Sequence, residues 1–165
     1  MLNKEFIKNK INFIQSELKV LAGFKDCSLQ EIASDYAKHT IVERILERII
    51  NDALDINQHI IAESEKIEVP NDYKETFSGL AKIKILPKKF SEEISKSVGL
   101  RNILVHQYQK LDEKIFYNSI KDCLKSYTKY CAYILKHIKS WCFINIYSGV
   151  FKKDYDNLGF AEVVF

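Results

Sequence analysis

Residues that interrupt helices are scarce in this sequence. Its 165 residues include only five glycines and two prolines. Because glycine and proline mark most turns and chain breaks, their scarcity favours long helices with short connections over a fold of many strands. A chain of this length fits a single domain and can bury a substantial core. We therefore predict an all-α fold.

Cysteine pairs and clusters of metal ligands are also missing. The four cysteines are Cys27, Cys123, Cys131 and Cys142, and none of them forms a C-x-x-C pair. No histidine and cysteine residues have the spacing of a zinc site. Cys123 and Cys131 share one helical face, where we expect them to be small core residues. The sequence predicts no metal, no cofactor and a reducing, cytoplasmic setting.

Long apolar runs are absent as well. No stretch of about 18 uninterrupted apolar residues exists, so we expect no membrane span. Charged residues interrupt the N-terminal segment, which excludes a signal peptide. The net charge of +3 is compatible with transient RNA contact but does not diagnose it. A basic cluster either forms a solvated loop or attracts a polyanion; its members are Lys82, Lys84, Lys88 and Lys89.

Apolar residues recur every three or four positions along five segments, which predicts five helices. The predicted helices span residues 2–21, 29–64, 72–82, 90–108 and 113–139. The predicted N-terminal caps and entry residues are Ser28, Asn71 or Asp72, Ser91 and Asp112. Gly99 lies inside the fourth helix, where a glycine usually reflects the close approach of another backbone.

The segment from Trp141 onward differs in character. Residues 143–147 and 160–165 are β-prone, and glycines lie between them. They predict a small hairpin or an extended arm that packs on the helices or on a partner subunit; the alternative is a poorly ordered tail. We divide the chain into a helical bundle, residues 1–140, and a C-terminal extension of unknown role, residues 141–165.

One octapeptide carries most of the chemistry of this chain: Arg101-Asn102-Ile103-Leu104-Val105-His106-Gln107-Tyr108. An unperturbed histidine side chain has a pKa of about 6.5 and can exchange protons near neutral pH. A guanidinium can bind a phosphate in bidentate fashion. The combination suits metal-independent cleavage of RNA by the ribose 2′-OH, with Tyr108 able to bind the phosphate or stack on a base. On spacing alone, a structural histidine and an arginine in a surface ion pair are the more frequent roles of such residues.

Helical geometry restricts how this octapeptide can act. In a straight helix Asn102 and His106 project to the same face, and Arg101 aligns with Tyr108 on another stripe. Arg101 and His106 then diverge by about 140°, too far to serve one phosphate. Two copies facing each other across a two-fold axis would remove the difficulty. The spacing therefore favours a dimeric site. The remaining histidines, which we expect to be structural or surface residues, are His39, His59 and His137.

The octapeptide resembles the signature of HEPN-superfamily ribonucleases, and in particular of the HepT-like toxin family. That signature is an arginine, four residues, a histidine, one residue and a tyrosine, which matches Arg101, His106 and Tyr108. The flanking Val98-Gly99-Leu100 and Leu111-Asp112, and the upstream residues 47–61, are also similar to the family. The resemblance covers roughly residues 5–139. Position 107 departs from it, because Gln107 stands where an acidic residue is more usual.

The resemblance implies an antiparallel HEPN-type bundle of four or five helices that forms a homodimer with both motifs in one cleft. It implies a metal-independent endoribonuclease toxin that acts on tRNA or mRNA. Arg101 and His106 would be catalytic, and Asn102 would support them. An MNT-type nucleotidyltransferase antitoxin would transfer AMP to Tyr108 and so silence the toxin.

Two other interpretations remain open at the level of sequence. The chain could be a non-catalytic helical partner that presents substrate to a nucleotidyltransferase. It could also be a structural dimerisation module in which the octapeptide supplies packing and an interface ion pair. The presence of Arg101, His106 and Tyr108 argues against the first of these.

Overall fold

A computed structural model describes residues 2–106 and 112–138 of the chain, and every regular element within them is an α-helix. No helix among these residues is long and apolar enough to cross a membrane. The helices are α1 (Lys4–Ala22), α2 (Leu29–Ala33), α3 (Tyr36–Ser64), α4 (Tyr73–Lys82), α5 (Lys88–Ile94), α6 (Ser97–His106) and α7 (Glu113–His137). The predicted all-α class is confirmed, and the predicted extension lies outside the described residues.

The long helices form an up-and-down bundle. Lys10 of α1 binds Asp52 and Asp55 of α3, whereas Glu17, further along α1, binds Arg48, earlier in α3. These pairs show that α1 and α3 run antiparallel. Contacts between α3 and α7 follow the same order along both helices, so these two run in the same direction, like the diagonal helices of a four-helix bundle.

The core is a continuous apolar interior with one polar network. Isoleucine and leucine side chains from α1 and α3 pack against aromatic side chains of α4 and α7. Within it, the Tyr130 hydroxyl donates to Asn57 Oδ1 at 2.7 Å and the Asn57 amide donates to Thr76 Oγ1 at 3.1 Å. Buried polar groups are costly unless paired, so this network links α3, α4 and α7 in one register.

Most predicted helix starts are confirmed. Ser28 and Glu31 form the capping box of α2, Asp72 caps α4, and Asp112 caps α7. The predicted continuous helix over residues 29–64 is wrong. Asp35 interrupts it, because its carboxylate accepts from the backbone N–H groups of Ala37 and Lys38 and so starts α3 as a new helix.

The prediction of one continuous helix from residue 90 is also wrong, because the described residues form two helices in this region. The helical region begins earlier, with Pro87 as the cap of α5, and it breaks between Ile94 and Ser97. Two serine side chains cover backbone carbonyls at the break: Ser95 Oγ donates to Glu92 O, and Ser97 Oγ donates to Ile94 O. Such bonds compete with the helical ladder and bend the chain. The break sets α6 as a separate ten-residue helix.

Candidate functional site

Helix α6 carries the reactive part of the octapeptide on the surface of the bundle. It packs on α3, and Val98 is its only buried residue. Arg101 is half-buried, whereas Asn102 and His106 are exposed. Leu100 and Leu104 are partly buried against the core, whereas Val105 is exposed, so the other described residues cover α6 only in part. The reactive side chains therefore lie where a second macromolecule can reach them.

Arg101 is held from α3. Its Nε donates to Asn51 Oδ1 at 2.9 Å, and its Nη1 lies 3.4 Å from Asn102 Oδ1. A guanidinium has five N–H donors, so most of its donors are not engaged by other described residues. The Asn51 bond fixes the plane of the guanidinium and leaves its outer edge available. That edge is the part that binds a phosphate in bidentate fashion.

Tyr73 is the second residue that contacts Arg101 from another helix. Its ring centroid lies 5.8 Å from Arg101 Cζ, within the range of a cation–π contact. Tyr73 is the first residue of α4, and 43% of it is exposed. The arginine is therefore positioned by two residues from two different helices.

His106 ends α6 and lies apart from Arg101. The helix stays regular through His106, and no hydrogen bond joins its imidazole to another described residue. The divergence predicted from helical spacing is thus retained in the folded chain. Asn102 and His106, four residues apart, share an exposed stripe with Gly99. Tyr108 lies outside the described residues.

Gly99 has open space beside it in the single chain. A Cβ added there would meet no atom within 4 Å. The backbone approach expected from the sequence is therefore not made by the described residues of the same chain.

A cleft of about 460 Å³ lies between α1 and α3 and reaches Asn51. Its other lining residues are Phe6, Asn9, Lys10, Phe13, Arg44, Glu47, Arg48 and Asp52. The three cations in this cleft are paired within the chain: Lys10 with Asp52 and Asp55, Arg44 with Glu47, and Arg48 with Glu17. The cleft is thus close to neutral, and it differs from Arg101, whose charge faces no carboxylate among the described residues.

The other histidines have structural surroundings. The His59 imidazole accepts a hydrogen bond from the Asn3 backbone N–H and packs against the ring of Phe6. His39 lies against Phe116. Partial burial, together with the nearby charge of Lys66, lowers the pKa of His137. Within the described part of the chain, none of these imidazoles lies beside a free guanidinium, which agrees with the structural roles expected for them.

Cys123 and Cys131 lie in the core, as expected, and the lysines of the basic cluster are exposed. Cys123 and Cys131 are buried, and burial raises the pKa of both thiols, so they remain protonated core residues. The basic cluster lies in the exposed region around the α4–α5 connection. Lys84 there adopts a left-handed backbone conformation with φ of 63°. Both expectations for this cluster, a solvated loop or a polyanion contact, are compatible with its exposure.

Two residues of the site were not identified from the sequence. Asn51 lies in the upstream segment that resembles the family, but there it is one polar position beside an apolar stripe. Tyr73 has the pattern of an ordinary residue after a helix cap. Asn51 and Tyr73 contact Arg101, from which they are 50 and 28 positions away in the sequence. No local sequence pattern indicates such a contact.

Comparison with known families gives a specific match. Residues 12–134 match the family model described as Ribonuclease HepT-like. The chain is 31% identical to a tRNA nuclease HepT of Aphanizomenon flos-aquae over 132 residues, which cover 80% of this chain and 89% of the relative. It is 28% identical to an mRNA nuclease HepT of Shewanella oneidensis over 127 residues, which cover 76% of this chain and 93% of the relative.

Solved structures agree with the sequence comparison. A tri-AMPylated HEPN toxin of Shewanella oneidensis in complex with an MNT antitoxin superposes with a TM-score of 0.72 at 26% identity, covering 79% of this chain and 97% of that chain. The YutE protein of Bacillus subtilis, a cytosolic protein of unknown function, superposes with a TM-score of 0.72 at 20% identity, covering 84% of this chain and 92% of that chain, and so shares the fold. The resemblance carried by the octapeptide is confirmed, and the chain belongs to the Ribonuclease HepT-like family of HEPN proteins.

Proposed function

We propose that this protein is the ribonuclease toxin of a toxin–antitoxin pair and cleaves RNA without a metal ion. The ribose 2′-oxygen forms a bond to the adjacent phosphorus while the bond from phosphorus to the 5′-oxygen breaks. His106 takes up or delivers the transferred proton, and Arg101 stabilises the charge on the phosphate. The products are an RNA with a 2′,3′-cyclic phosphate and an RNA with a free 5′-hydroxyl.

The observation that carries this proposal is the arrangement of Arg101. Its guanidinium is anchored through Nε by Asn51, its outer edge is open, and an exposed His106 ends the same helix. A structural arginine would more often complete an ion pair, yet no carboxylate among the described residues pairs with it. Asn102, which shares a hydrogen bond with Arg101 and a stripe with His106, supports both residues.

A homodimer follows from the divergence of the two catalytic side chains. Within one chain Arg101 and His106 point about 140° apart along α6. A two-fold axis beside the exposed stripe of α6 would place the Arg101 of one protomer near the His106 of its partner. The partial exposure of α6 and the absence of any described atom within 4 Å of an added Cβ at Gly99 support such a pairing.

We propose that modification of Tyr108 controls this activity. A nucleotidyltransferase antitoxin of the MNT type would transfer AMP units to the tyrosine hydroxyl, with release of pyrophosphate from ATP. The tri-AMPylated Shewanella oneidensis toxin in complex with its MNT antitoxin supports this proposal by similarity. Added phosphates would place negative charge near Arg101 and repel RNA.

The RNA target is proposed to be a tRNA or an mRNA. One relative is named for each of these substrates, so membership of the family favours neither. The exposed lysines around the α4–α5 connection would add sequence-independent attraction to either RNA.

The decisive experiment compares the wild type with His106→Ala in bacteria that lack the antitoxin gene. We expect the wild type to arrest growth and fragment RNA, and the variant to do neither; the exposed His137→Ala is the matched control. Purified wild type should cleave in excess EDTA and leave 5′-hydroxyl ends. Equal growth and intact RNA for all three would favour the non-catalytic partner instead, and cleavage that stops in EDTA would refute the metal-independent mechanism.

Modification is tested separately by intact mass. Co-expression with a cognate nucleotidyltransferase should add mass in whole AMP units to the wild type and to Tyr36→Phe, but not to Tyr108→Phe. Loss of toxicity should accompany the mass increase. An unchanged mass of the wild type, or an increase that persists in Tyr108→Phe, would contradict the assignment of Tyr108.

A further inference from the structure

Tyr73 is an aromatic side chain with an exposed ring beside the phosphate-binding arginine. It begins α4, 43% of it is exposed, and its ring centroid lies 5.8 Å from Arg101 Cζ. Tyr73 is therefore partly open to solvent beside the guanidinium, where a bound ligand can reach it.

The backbone of Tyr73 is fixed by the buried polar network. Thr76 Oγ1 donates to the Tyr73 carbonyl at 2.7 Å and accepts from the Asn57 amide at 3.1 Å. Asn57 in turn accepts from the hydroxyl of Tyr130 at 2.7 Å. The chain of bonds runs from the core directly to the first turn of α4. The exposed ring thus sits on a rigid base, as a preformed binding surface requires.

The geometry beside Arg101 matches the two chemical parts of a nucleotide. The open edge of the guanidinium binds a phosphate, and a neighbouring aromatic face offers a surface for a base. Aromatic stacking contributes about 1–3 kcal/mol per base in complexes with single-stranded nucleic acids, and it accepts any base because each base has a π-face. The bond from Arg101 Nε to Asn51 holds the guanidinium beside this ring.

We propose that Tyr73 is a substrate-binding residue on which an unpaired RNA base, next to the phosphate bound by Arg101, stacks during cleavage. This inference rests on the proposed ribonuclease function and adds a base-stacking subsite to it. It also implies that the RNA is cleaved in single-stranded or unstacked segments, because a paired base cannot reach a protein ring.

The test compares substitutions at Tyr73 on a defined substrate. Cleavage sites are first mapped by sequencing the RNA ends that the wild type generates in total bacterial RNA. A short oligoribonucleotide spanning one site then serves as substrate for Tyr73→Leu, Tyr73→Phe and Tyr73→Trp. Tyr36→Leu is a matched control, since Tyr36 is also the first residue of a helix capped by an aspartate and is 86% exposed.

We expect Tyr73→Leu to lower kcat/KM by about 10- to 100-fold, mainly through KM, as loss of one stacked base would do. Tyr73→Phe and Tyr73→Trp should retain most of the activity, and Tyr36→Leu should match the wild type. A structural role would instead move kcat and thermal stability for all Tyr73 variants. Circular dichroism and melting curves report whether Tyr73→Leu is folded.

Abasic substrates identify the stacked base itself. Single nucleotides of the substrate are replaced by abasic ribose, one at a time. At one position next to the cleaved bond, loss of the base should slow cleavage by the wild type. The same loss should not slow cleavage by Tyr73→Leu any further. If abasic effects and the Tyr73→Leu effect add at every position, the ring acts only through Arg101 and the inference is overturned. If the wild type cleaves no RNA at all, the proposed function fails first, which is a distinct result.

Discussion

The Arg101 guanidinium donates from Nε to the Oδ1 of Asn51 at 2.9 Å, so an asparagine of α3 orients the arginine of α6. This bond crosses between the two segments that resemble the family, residues 47–61 and the octapeptide. The upstream segment therefore does more than pack: it supplies the residue that orients the phosphate-binding group. Asn51 also borders the α1–α3 cleft, so the position is reachable by solvent.

Replacement of Asn51 should reduce cleavage while leaving the fold intact. A hydrogen bond to a charged group is worth about 1.5–3 kcal/mol, so Asn51→Ala is expected to lower kcat/KM about 10- to 100-fold. Asn51→Asp should also be impaired, because a carboxylate keeps the bond but competes with phosphate for the guanidinium. Initial rates on the mapped oligoribonucleotide measure both. The exposed Asn118→Ala on α7 is the control, and equal rates for Asn51→Ala and Asn118→Ala would contradict the positioning role.

Retaining the positive charge at position 101 should not be enough for activity. A lysine cannot present parallel N–H donors to a phosphate, nor reproduce the bond from Nε to Asn51. We expect Arg101→Lys to lose at least about 100-fold in kcat/KM, on the scale of removing one charge-stabilising donor from an active site. Binding of an uncleavable 2′-deoxy substrate, measured by anisotropy, should fall far less. A lysine variant with near-normal turnover would show that charge alone suffices.

The sequence predicts the helical fold well because apolar periodicity and cap residues are local. Ser28, Asp72 and Asp112 each mark a helix start within three residues of themselves. The breaks at Asp35 and at Ser95 were missed, because the apolar stripe continues across both while side-chain bonds to the backbone divert the chain. Periodicity reports which face is buried, and it does not report whether two short helices share that face.

Only the site residues that lie close together in the sequence could be predicted. The octapeptide supplied Arg101, Asn102 and His106, and spacing alone gave their divergence along one helix. Asn51 and Tyr73 reach the arginine through the packing of α3 and α4 against α6, and that packing is a property of the folded chain. The proposed role of Tyr108 and the proposed boundary at residue 140 lie outside the described residues and stay predictions.

Disruption of the buried network should destabilise the protein through α4. Asn57→Leu removes the amide that donates a hydrogen bond to the Thr76 hydroxyl. It also removes the oxygen that accepts from the Tyr130 hydroxyl, which then bonds only the Ala53 carbonyl among the described residues. A buried group left unsatisfied costs about 1–3 kcal/mol. Urea unfolding should show a lower midpoint with an unchanged slope, and Tm should fall by about 2–4 °C per kcal/mol for a chain of this size. Thr76→Val should destabilise the protein as well, because it removes the bond to the Tyr73 carbonyl and leaves the buried Asn57 amide without its acceptor; a fully stable Asn57→Leu would show that the network contributes little.

Gly99 offers a way to separate the stability of the single chain from its self-association. No atom lies within 4 Å of the position of an added Cβ, and alanine favours a helix by about 1 kcal/mol over glycine. Gly99→Ala should therefore raise the thermal stability of dilute, monomeric protein. If the exposed stripe of α6 faces its counterpart across a two-fold axis, the larger Gly99→Leu should weaken dimerisation.

Sedimentation equilibrium measures this effect directly. We expect the dimer dissociation constant of Gly99→Leu to rise at least about tenfold, equivalent to about 1.4 kcal/mol. Cleavage should fall in parallel at low protein concentration and recover as concentration rises, because each site in the proposed dimer takes Arg101 from one protomer and His106 from its partner. Asn118→Leu adds a similar side chain on the exposed surface of α7 and should change neither quantity. A Gly99→Leu protein that dimerises and cleaves normally would place the two-fold axis away from this stripe.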